Sequence, residues 1–314
     1  MSNLKNKKVL VTGGAGFIGC NLVRRFIKEK AQVRVFDNFS TGKRQNLSDV
    51  YDAIELVEGD LRDFALVLEA TQNIDIIFHE AALPSVIRSV KAPNTTNDVN
   101  ITGTLNLLEA ARVNNVRRVV YASSSSIYGD SLVLPKKEDM TPDPLSPYAV
   151  SKITGEHYMK VFHRLYGIET VILRYFNVYG PFQDPTSEYS GVIAKFITAF
   201  LNNRPITVHG DGEQSRDFTY VDDVVEANIL AVDADVSGDV FNVACGTRNT
   251  LNQMIEILKS IFNKEEYKIT YTEARPGDVK HSQAEVSKIK EKLNFKAVTS
   301  FEKGLRKTAD WYRK

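Results

Sequence analysis

The sequence predicts an α/β fold: a doubly wound parallel sheet over residues 1–176, followed by a smaller C-terminal α/β domain. Three observations lead there. Short apolar runs alternate with longer helix-like stretches through the first half of the chain. Those runs are continuously apolar, as strands buried on both faces of a parallel sheet must be. A glycine-rich turn, TGGAGFIG, follows the first run directly and opens the first helix-like stretch.

KVLVT (8–12) is the first strand, apolar and β-branched. A 3.6-residue period of apolar positions covers 17–30, and QVRVFD (32–37), IELVEGD (54–60) and IDIIFHE (74–80) follow as strands. A helix-like stretch at 100–114 leads to RRVVYAS (117–123), and another at 147–165 leads to TVILRYF (170–176). Strand–helix–strand units of this kind build an open sheet covered by helices on both faces. Beyond 177 the pattern loosens, which predicts the second domain over 177–211 and 246–314. FNVAC (241–245) is strand-like, so 212–245 is expected to rejoin the first sheet.

A chain of 314 residues is long enough to divide into two domains. Forty Lys plus Arg offset 39 Asp plus Glu, giving a net charge of +1 without a block of either sign. Nothing electrostatic therefore points to nucleic acid or a membrane surface. No apolar run approaches the roughly 20 residues that cross a bilayer. The opening MSNLKNKKVLVTGG is too polar for a secretory signal. Cys20 and Cys245 make neither a disulfide framework nor a metal-ligand pattern. A cytosolic protein without a metal is expected.

The glycine turn carries the first functional signal. Gly13, Gly16 and Gly19 stand at G-x-x-G-x-x-G spacing between a strand and a helix. Glycines there permit a tight turn and close backbone approach, and they place a pyrophosphate at the helix N-terminus. Asp37 ends the second strand, where a carboxylate accepts from ribose hydroxyls and repels a 2′-phosphate; NAD is favoured over NADP. Lys43 and Arg44 nearby leave a cation for the phosphate alternative. GDLRD (59–63) ends the next strand and offers Asp60 to an adenine, or is simply a surface turn.

SPYAVSK (146–152) carries the second. Ser146 suits an N-cap and Pro147 the first helical position. Tyr148 and Lys152 then fall one turn apart on one helix face. A phenol ionises near pH 10 in water, so a tyrosine base at neutral pH needs roughly 4 kcal/mol of differential stabilisation. An ammonium one turn away and a positive nicotinamide ring are expected to supply it. The four hydroxyls Ser123–Ser126 between these two signals, at a strand end, are poor core residues unless they have partners.

Together, TGGAGFIG, DNFSTGK, GDLRD, HEAA, the serine run before YGD, SPYAVSK, LRYFNVYG and RDFTYVDD resemble the extended short-chain dehydrogenase/reductase family, in its order and over essentially the whole chain. The resemblance implies a Rossmann domain and an NAD-dependent nucleotide-sugar enzyme. It implies Ser124, Tyr148 and Lys152 as the catalytic group, Ser124 orienting a sugar hydroxyl, with Ser126 also on the substrate and Ser123 and Ser125 structural. For the cofactor it implies Gly13, Gly16, Phe17 and Ile18; Asp37, Asn38, Ser40, Thr41 and Gly42; Asp60 and Leu61; Ala81 and Ala82; Asn100; and Tyr148, Lys152, Tyr175 and Val178. For the substrate it implies Arg216 and Arg275 as a diphosphate clamp, with Asn177, Val192 and Asp278 beside them.

Dehydratases and decarboxylases of this family resemble one another in a serine or threonine followed by acidic residues, whereas Ser125 and Ser126 carry no carboxylate after them. Without that acid–base agent, oxidation at C4 and return of the hydride remain, which is 4-epimerisation. The chain resembles UDP-hexose 4-epimerases that accept N-acetylated sugars. By that likeness, Ser282 stands where a tyrosine limits the pocket in forms restricted to glucose and galactose, and Ser85 and Val86, with Arg88, match the acetamido-accepting branch. A UDP-glucuronate 4-epimerase is the alternative, with Arg88 as the cation for the sugar carboxylate; another dehydratase or decarboxylase stands behind it. A cofactor-sensing regulator is disfavoured by the presence of Ser124, Tyr148 and Lys152 together. Stretches 100–114 and 149–165 resemble the helix pair of a homodimer interface in relatives, though amphipathic helices pack internally as readily.

Overall fold

The computed structural model describes residues 4–186, 191–274 and 280–313. In chain order the first half contains β1 (Lys8–Thr12), α1 (Phe17–Lys28), β2 (Gln32–Asp37), β3 (Ile54–Glu58), α2 (Phe64–Ala70) and β4 (Ile76–His79). It continues through α3 (Val86–Lys91), α4 (Pro93–Asn97), α5 (Gly103–Val113), β5 (Arg118–Ser124), α6 (Pro147–Tyr166) and β6 (Glu169–Tyr175). Then come β7 (Val178–Tyr179), α7 (Val192–Leu201), β8 (Ile206–His209), β9 (Ser215–Arg216), β10 (Thr219–Tyr220) and α8 (Val221–Asp233). The last elements are β11 (Asp239–Val243), β12 (Asn249–Thr250), α9 (Leu251–Phe262), β13 (Ile269–Thr272), α10 (Ser287–Leu293) and α11 (Phe301–Tyr312).

Seven strands form one sheet in the order β11-β6-β5-β4-β1-β2-β3, and every neighbouring pair is parallel. Side chains alternate faces along each strand. Val9 and Val11 of β1 therefore join one core with Phe26 of α1, Val224 and Ala231 of α8, and Ile289 and Leu293 of α10. Leu10 joins the other, with Val67 of α2, Leu107 and Leu108 of α5, and Met159 and Phe162 of α6. This is the doubly wound Rossmann arrangement. The first three residues of the strand-like FNVAC segment, Phe241 to Val243, end β11, which extends the sheet beside β6.

A third core gathers α7, α9 and α11 around β8, with Phe196, Phe200, Met254, Leu258 and Leu305 at its centre. Two-stranded sheets, β13 with β8, β12 with β9 and β10 with β7, knit this smaller part together. The stretch around α10 packs elsewhere: Ile289, Leu293 and Phe295 are buried in the core of the main sheet, among α8 and β11 residues. No helix of the described residues is long and apolar enough to cross a membrane.

Candidate active site and cofactor cleft

In an open α/β sheet the carboxyl ends of the strands border the ligand crevice. Here they border a cavity of about 730 Å³, floored by the glycine turn after β1 and walled by residues just beyond β2, β3 and β4. Gly13 has φ +68°, and a Cβ there would lie 2.7 Å from the Ala81 nitrogen, so the turn after β4 rests directly on the turn after β1. A Cβ on Gly19 would collide with the Gly13 carbonyl. Only glycine allows both the left-handed turn and this contact.

Asp37 is buried at the end of β2, where its carboxylate accepts from the Ala15 N–H at 2.9 Å and the Phe39 N–H at 2.8 Å. Burial raises its pKa and the two amides lower it. Lys43 pairs with Asp184 at 2.7 Å, and Arg44 pairs with Glu58 while stacking 4.0 Å over the Phe39 ring. The two cations that a 2′-phosphate would need already face carboxylates, and Asp37 stands in the wall. The cleft fits a dinucleotide with a free 2′-hydroxyl. Asp60 lines it too, held by Arg62 at 2.8 Å and Asn38 at 2.7 Å. The Arg62 guanidinium keeps that carboxyl well below the usual range.

Most of the expected cofactor contacts line this cavity: Gly13, Gly16, Phe17, Ile18, Asp37, Asn38, Ser40, Thr41, Gly42, Asp60, Leu61, Ala81, Ala82, Tyr148, Lys152 and Tyr175. Two lie apart. Asn100 is buried behind the wall, accepting from the Leu83 N–H at 2.7 Å and donating to the Ser151 hydroxyl at 3.0 Å, so it shapes the Leu83 turn. Val178 faces a second cavity.

Helix α6 begins as its sequence dictates, with Ser146 accepting from the Ala149 N–H and Pro147 at the first position. Ser124, which ends β5 in register with Tyr175 of β6, lowers the pKa of Tyr148. One turn on, the Lys152 ammonium donates to the Ala122 carbonyl at 2.6 Å. It stands 6.0 Å from the centre of the Tyr148 ring and 5.0 Å from that of Tyr121. Among the chain's own groups, Lys152 is not one that lowers the Tyr148 pKa; the expected pull on the phenol joins this ammonium with a nicotinamide ring. Burial raises the tyrosine's pKa, Ser124 lowers it, and Glu80 raises it again. The physical reason is distance and direction: the ammonium is turned onto a strand carbonyl instead of the phenol oxygen. Lys152 itself is pushed down to about 8 by burial, against the attraction of Glu80 and Glu156.

The serine run divides its tasks. Ser123 donates to Glu156 at 2.5 Å, and Glu156 makes a two-pronged pair with Arg174 at 2.9 and 2.7 Å. Arg174 also donates to the Tyr128 hydroxyl at 2.8 Å, which donates to Asn242 at 2.6 Å. The Ser124 hydroxyl accepts from the Ser126 N–H at 3.1 Å. The Ser126 hydroxyl is buried without a partner among the described residues.

The second cavity, of about 540 Å³, is lined by Asn177, Val178, Val192 and Arg216 among others, and shares Gln183 and Gly191 with the first. Arg216 donates to the Ser215 and Lys280 carbonyls at 3.1 Å, and Asn177 to the Asp217 carbonyl at 3.0 Å. Ser85 lines the first cavity and caps α3 by accepting from the Arg88 N–H. Val86, half exposed, does not line either cavity, nor does Ser282, whose N–H donates to the Ser215 carbonyl at 3.0 Å beside Arg216. Arg275 and Asp278 lie outside the described residues.

Sequence reasoning passed over Glu80, the residue just beyond β4, and took only the two alanines after it. The carboxyl-end rule for strands marks the position. Its side chain lines the cofactor cleft and accepts from the Tyr175 hydroxyl at 2.8 Å. His79, one residue earlier, points into the protein between Thr12 at 2.8 Å and Thr104 at 2.9 Å. Burial pushes it down to about 3, so it is neutral and structural.

A family model described as "NAD dependent epimerase/dehydratase family" matches residues 9–244. The protein described as "Putative UDP-glucose 4-epimerase" of Methanocaldococcus jannaschii is 37% identical over 307 residues, which is 97% of this chain and 98% of that protein. The UDP-glucuronate 4-epimerase of Thermodesulfobacterium geofontis is 36% identical over 313 residues, 96% of this chain and 95% of that protein. Among solved structures, the UDP-N-acetylglucosamine 4-epimerase of Methanobrevibacter ruminantium M1, in complex with UDP-N-acetylmuramic acid, is 42% identical with a TM-score of 0.94, covering 98% of this chain and 99% of that one.

Proposed function

The chain belongs to the NAD-dependent epimerase/dehydratase family, and on that premise we propose that it is a 4-epimerase interconverting UDP-N-acetylglucosamine and UDP-N-acetylgalactosamine, with UDP-glucose and UDP-galactose as further substrates. NAD, its cofactor, would be held by the glycine turn and Asp37 in the first cavity and would supply hydride chemistry there. The observation that carries the reading is Tyr148, with Lys152 one turn on, in the wall of the cleft that the glycine turn floors.

Tyr148 takes the proton of the sugar 4-hydroxyl and returns it, while Ser124 fixes that hydroxyl's position. Lys152 supplies a buried positive charge one turn away. The serines after β5 carry no carboxylate beside them, and Glu80 is engaged by Tyr175, so an elimination step lacks its acid–base agent. Arg216, in the second cavity, suits a diphosphate, with Arg275 as its partner in the clamp and Asn177, Val192 and Asp278 beside them. Ser85, on the wall of the first cavity, is small enough to leave room for an acetamido group, and the resemblance assigns Ser282, paired through its backbone with Ser215 beside Arg216, to the same pocket. Arg88, on the wall of the first cavity beside Ser85, supports the second reading, a UDP-glucuronate 4-epimerase.

A panel of UDP-sugars incubated with the purified protein, followed by separation of epimers, tests the reading. Interconversion of the two N-acetylhexosamines is expected; turnover of UDP-glucuronate alone transfers the assignment to the second reading. Ser282→Tyr then tests the pocket. Overpacking a bound sugar costs roughly 1–3 kcal/mol, so the variant should lose about tenfold to a hundredfold on UDP-N-acetylglucosamine while keeping UDP-glucose. Equal activity of the variant on both would remove Ser282 from the pocket.

A further inference from the structure

Glu80 is a carboxylate in an unexpected place. It follows β4 in the middle of the sheet, and its side chain shares the cleft wall with Tyr148 and Lys152 of α6. A directed chain of hydrogen bonds fixes it. The Asn228 amide of α8, which can only donate through its nitrogen, gives one bond to the Val224 carbonyl at 2.9 Å and one to the Tyr175 oxygen at 2.8 Å. The Tyr175 hydrogen is thereby turned onto Glu80, at 2.8 Å. Three elements, α8, β6 and β4, cooperate to hold one carboxyl in the wall of the cleft that Tyr148 and Lys152 also line.

We propose that Glu80 is a positioning residue for proton transfer, a carboxyl held in place whose negative charge, when it forms, sets the protonation of Tyr148 and Lys152 together. It rests on the reading of Tyr148 as the proton carrier. The titratable groups facing Glu80 are Tyr148 and Lys152 from α6 and Tyr175 from β6. His79, its chain neighbour, is turned away between two threonines. A negative charge raises the pKa of every neighbour. It therefore keeps Lys152 charged to higher pH and keeps the proton on Tyr148 longer. Both effects move the working range upward in pH, and neither requires Glu80 to touch the substrate. Burial pushes Glu80 up to about 7, so the charge appears only as pH rises through neutrality.

The test is the pH profile of E80Q. Glutamine keeps the shape and can still accept from Tyr175, but carries no charge. At low pH, where Glu80 holds a proton, the two profiles should coincide. As pH rises through 7 they should separate, with the E80Q maximum at lower pH and its alkaline fall earlier. Glu80→Asp, which keeps the charge, should retain the wild-type shape. Superimposed profiles, or a loss by the same factor at every pH, would overturn the proposal and leave Glu80 a structural acceptor. A second readout needs no turnover. The folded pKa of Glu80 lies above the ordinary 4.5, so the stability it contributes is full below 4.5 and is lost as pH rises through about 7. The melting temperature of E80Q minus that of wild type should therefore increase from pH 5 to pH 8; a flat difference counts against a buried charge at Glu80. If Tyr148→Phe retains activity, the underlying reading fails. If Tyr148→Phe is inactive and E80Q matches wild type, only this inference does.

Discussion

Tyr148 and Lys152 share a helix face one turn apart, yet the chain by itself holds the phenol in its neutral form. A neutral phenol is suited to giving a proton back, and its base form has to be stabilised within the assembled site. Tyr148→Phe keeps the packing and deletes the proton, so turnover should fall by about 10² or more with cofactor binding retained, measured as rate and as nicotinamide released on denaturation. Lys152, with a pKa lowered to about 8, loses its charge above that pH, so the rate should decline on the alkaline side. A rate that stays level well above pH 8 would separate Lys152's charge from catalysis. The spacing of these two residues was legible in the sequence because helix geometry is local. Their charge states were not, since these depend on burial and on Glu80, far away in the chain.

Helix α6 carries a third member of the same ladder. Glu156 stands one turn beyond Lys152, fully buried, and ties α6 to β5 through Ser123 and to β6 through Arg174. The pair joins α6 to β6, and Ser123 joins it to β5, the strand that ends in Ser124. Removing one partner of a buried pair strands a charge, and Glu156→Leu should cost roughly 3–5 kcal/mol in denaturant unfolding. The double replacement Glu156→Leu with Arg174→Met should cost clearly less; equal losses would show that the site needs the charges for more than mutual neutralisation. Strand positions were legible throughout the first half because continuous apolar runs between glycine-rich or polar turns leave little choice. The return of β11 was legible from FNVAC, a short apolar run. The packing of α10 against the main sheet was not, because SKIKEKL shows only two apolar positions, Ile289 and Leu293, and those fit either core. Likewise the division of labour among Ser123–Ser126 follows from alternating strand faces and from Glu156, which composition alone does not reveal.

Across the molecule, the stretch Pro181–Thr186 leans on both halves. Asn21 of α1 donates to the Pro181 carbonyl at 3.2 Å, Arg24 lies 4.0 Å over the Phe182 ring, and Phe182 packs on Trp311 of α11 at 5.0 Å. Tyr312 donates to the Gln183 carbonyl at 2.6 Å, and the Lys43–Asp184 pair reaches across to the far lip of the cleft. Gln183 also faces the second cavity, so one stretch borders both chambers. Lys43 and Asp184 both line the cleft, and salt screens a partly exposed ion pair such as theirs, so their contact is expected to slow the release of bound NAD. Asp184→Asn should hasten cofactor release severalfold at low ionic strength, and wild-type release should quicken with added salt while the variant's changes little; both can be followed by loss of bound nicotinamide dinucleotide during gel filtration. A cycle that ends with its oxidant restored gains nothing from turnover of that oxidant. Such a dinucleotide should behave as a prosthetic group, renewed within the protein and seldom exchanged with the surrounding pool.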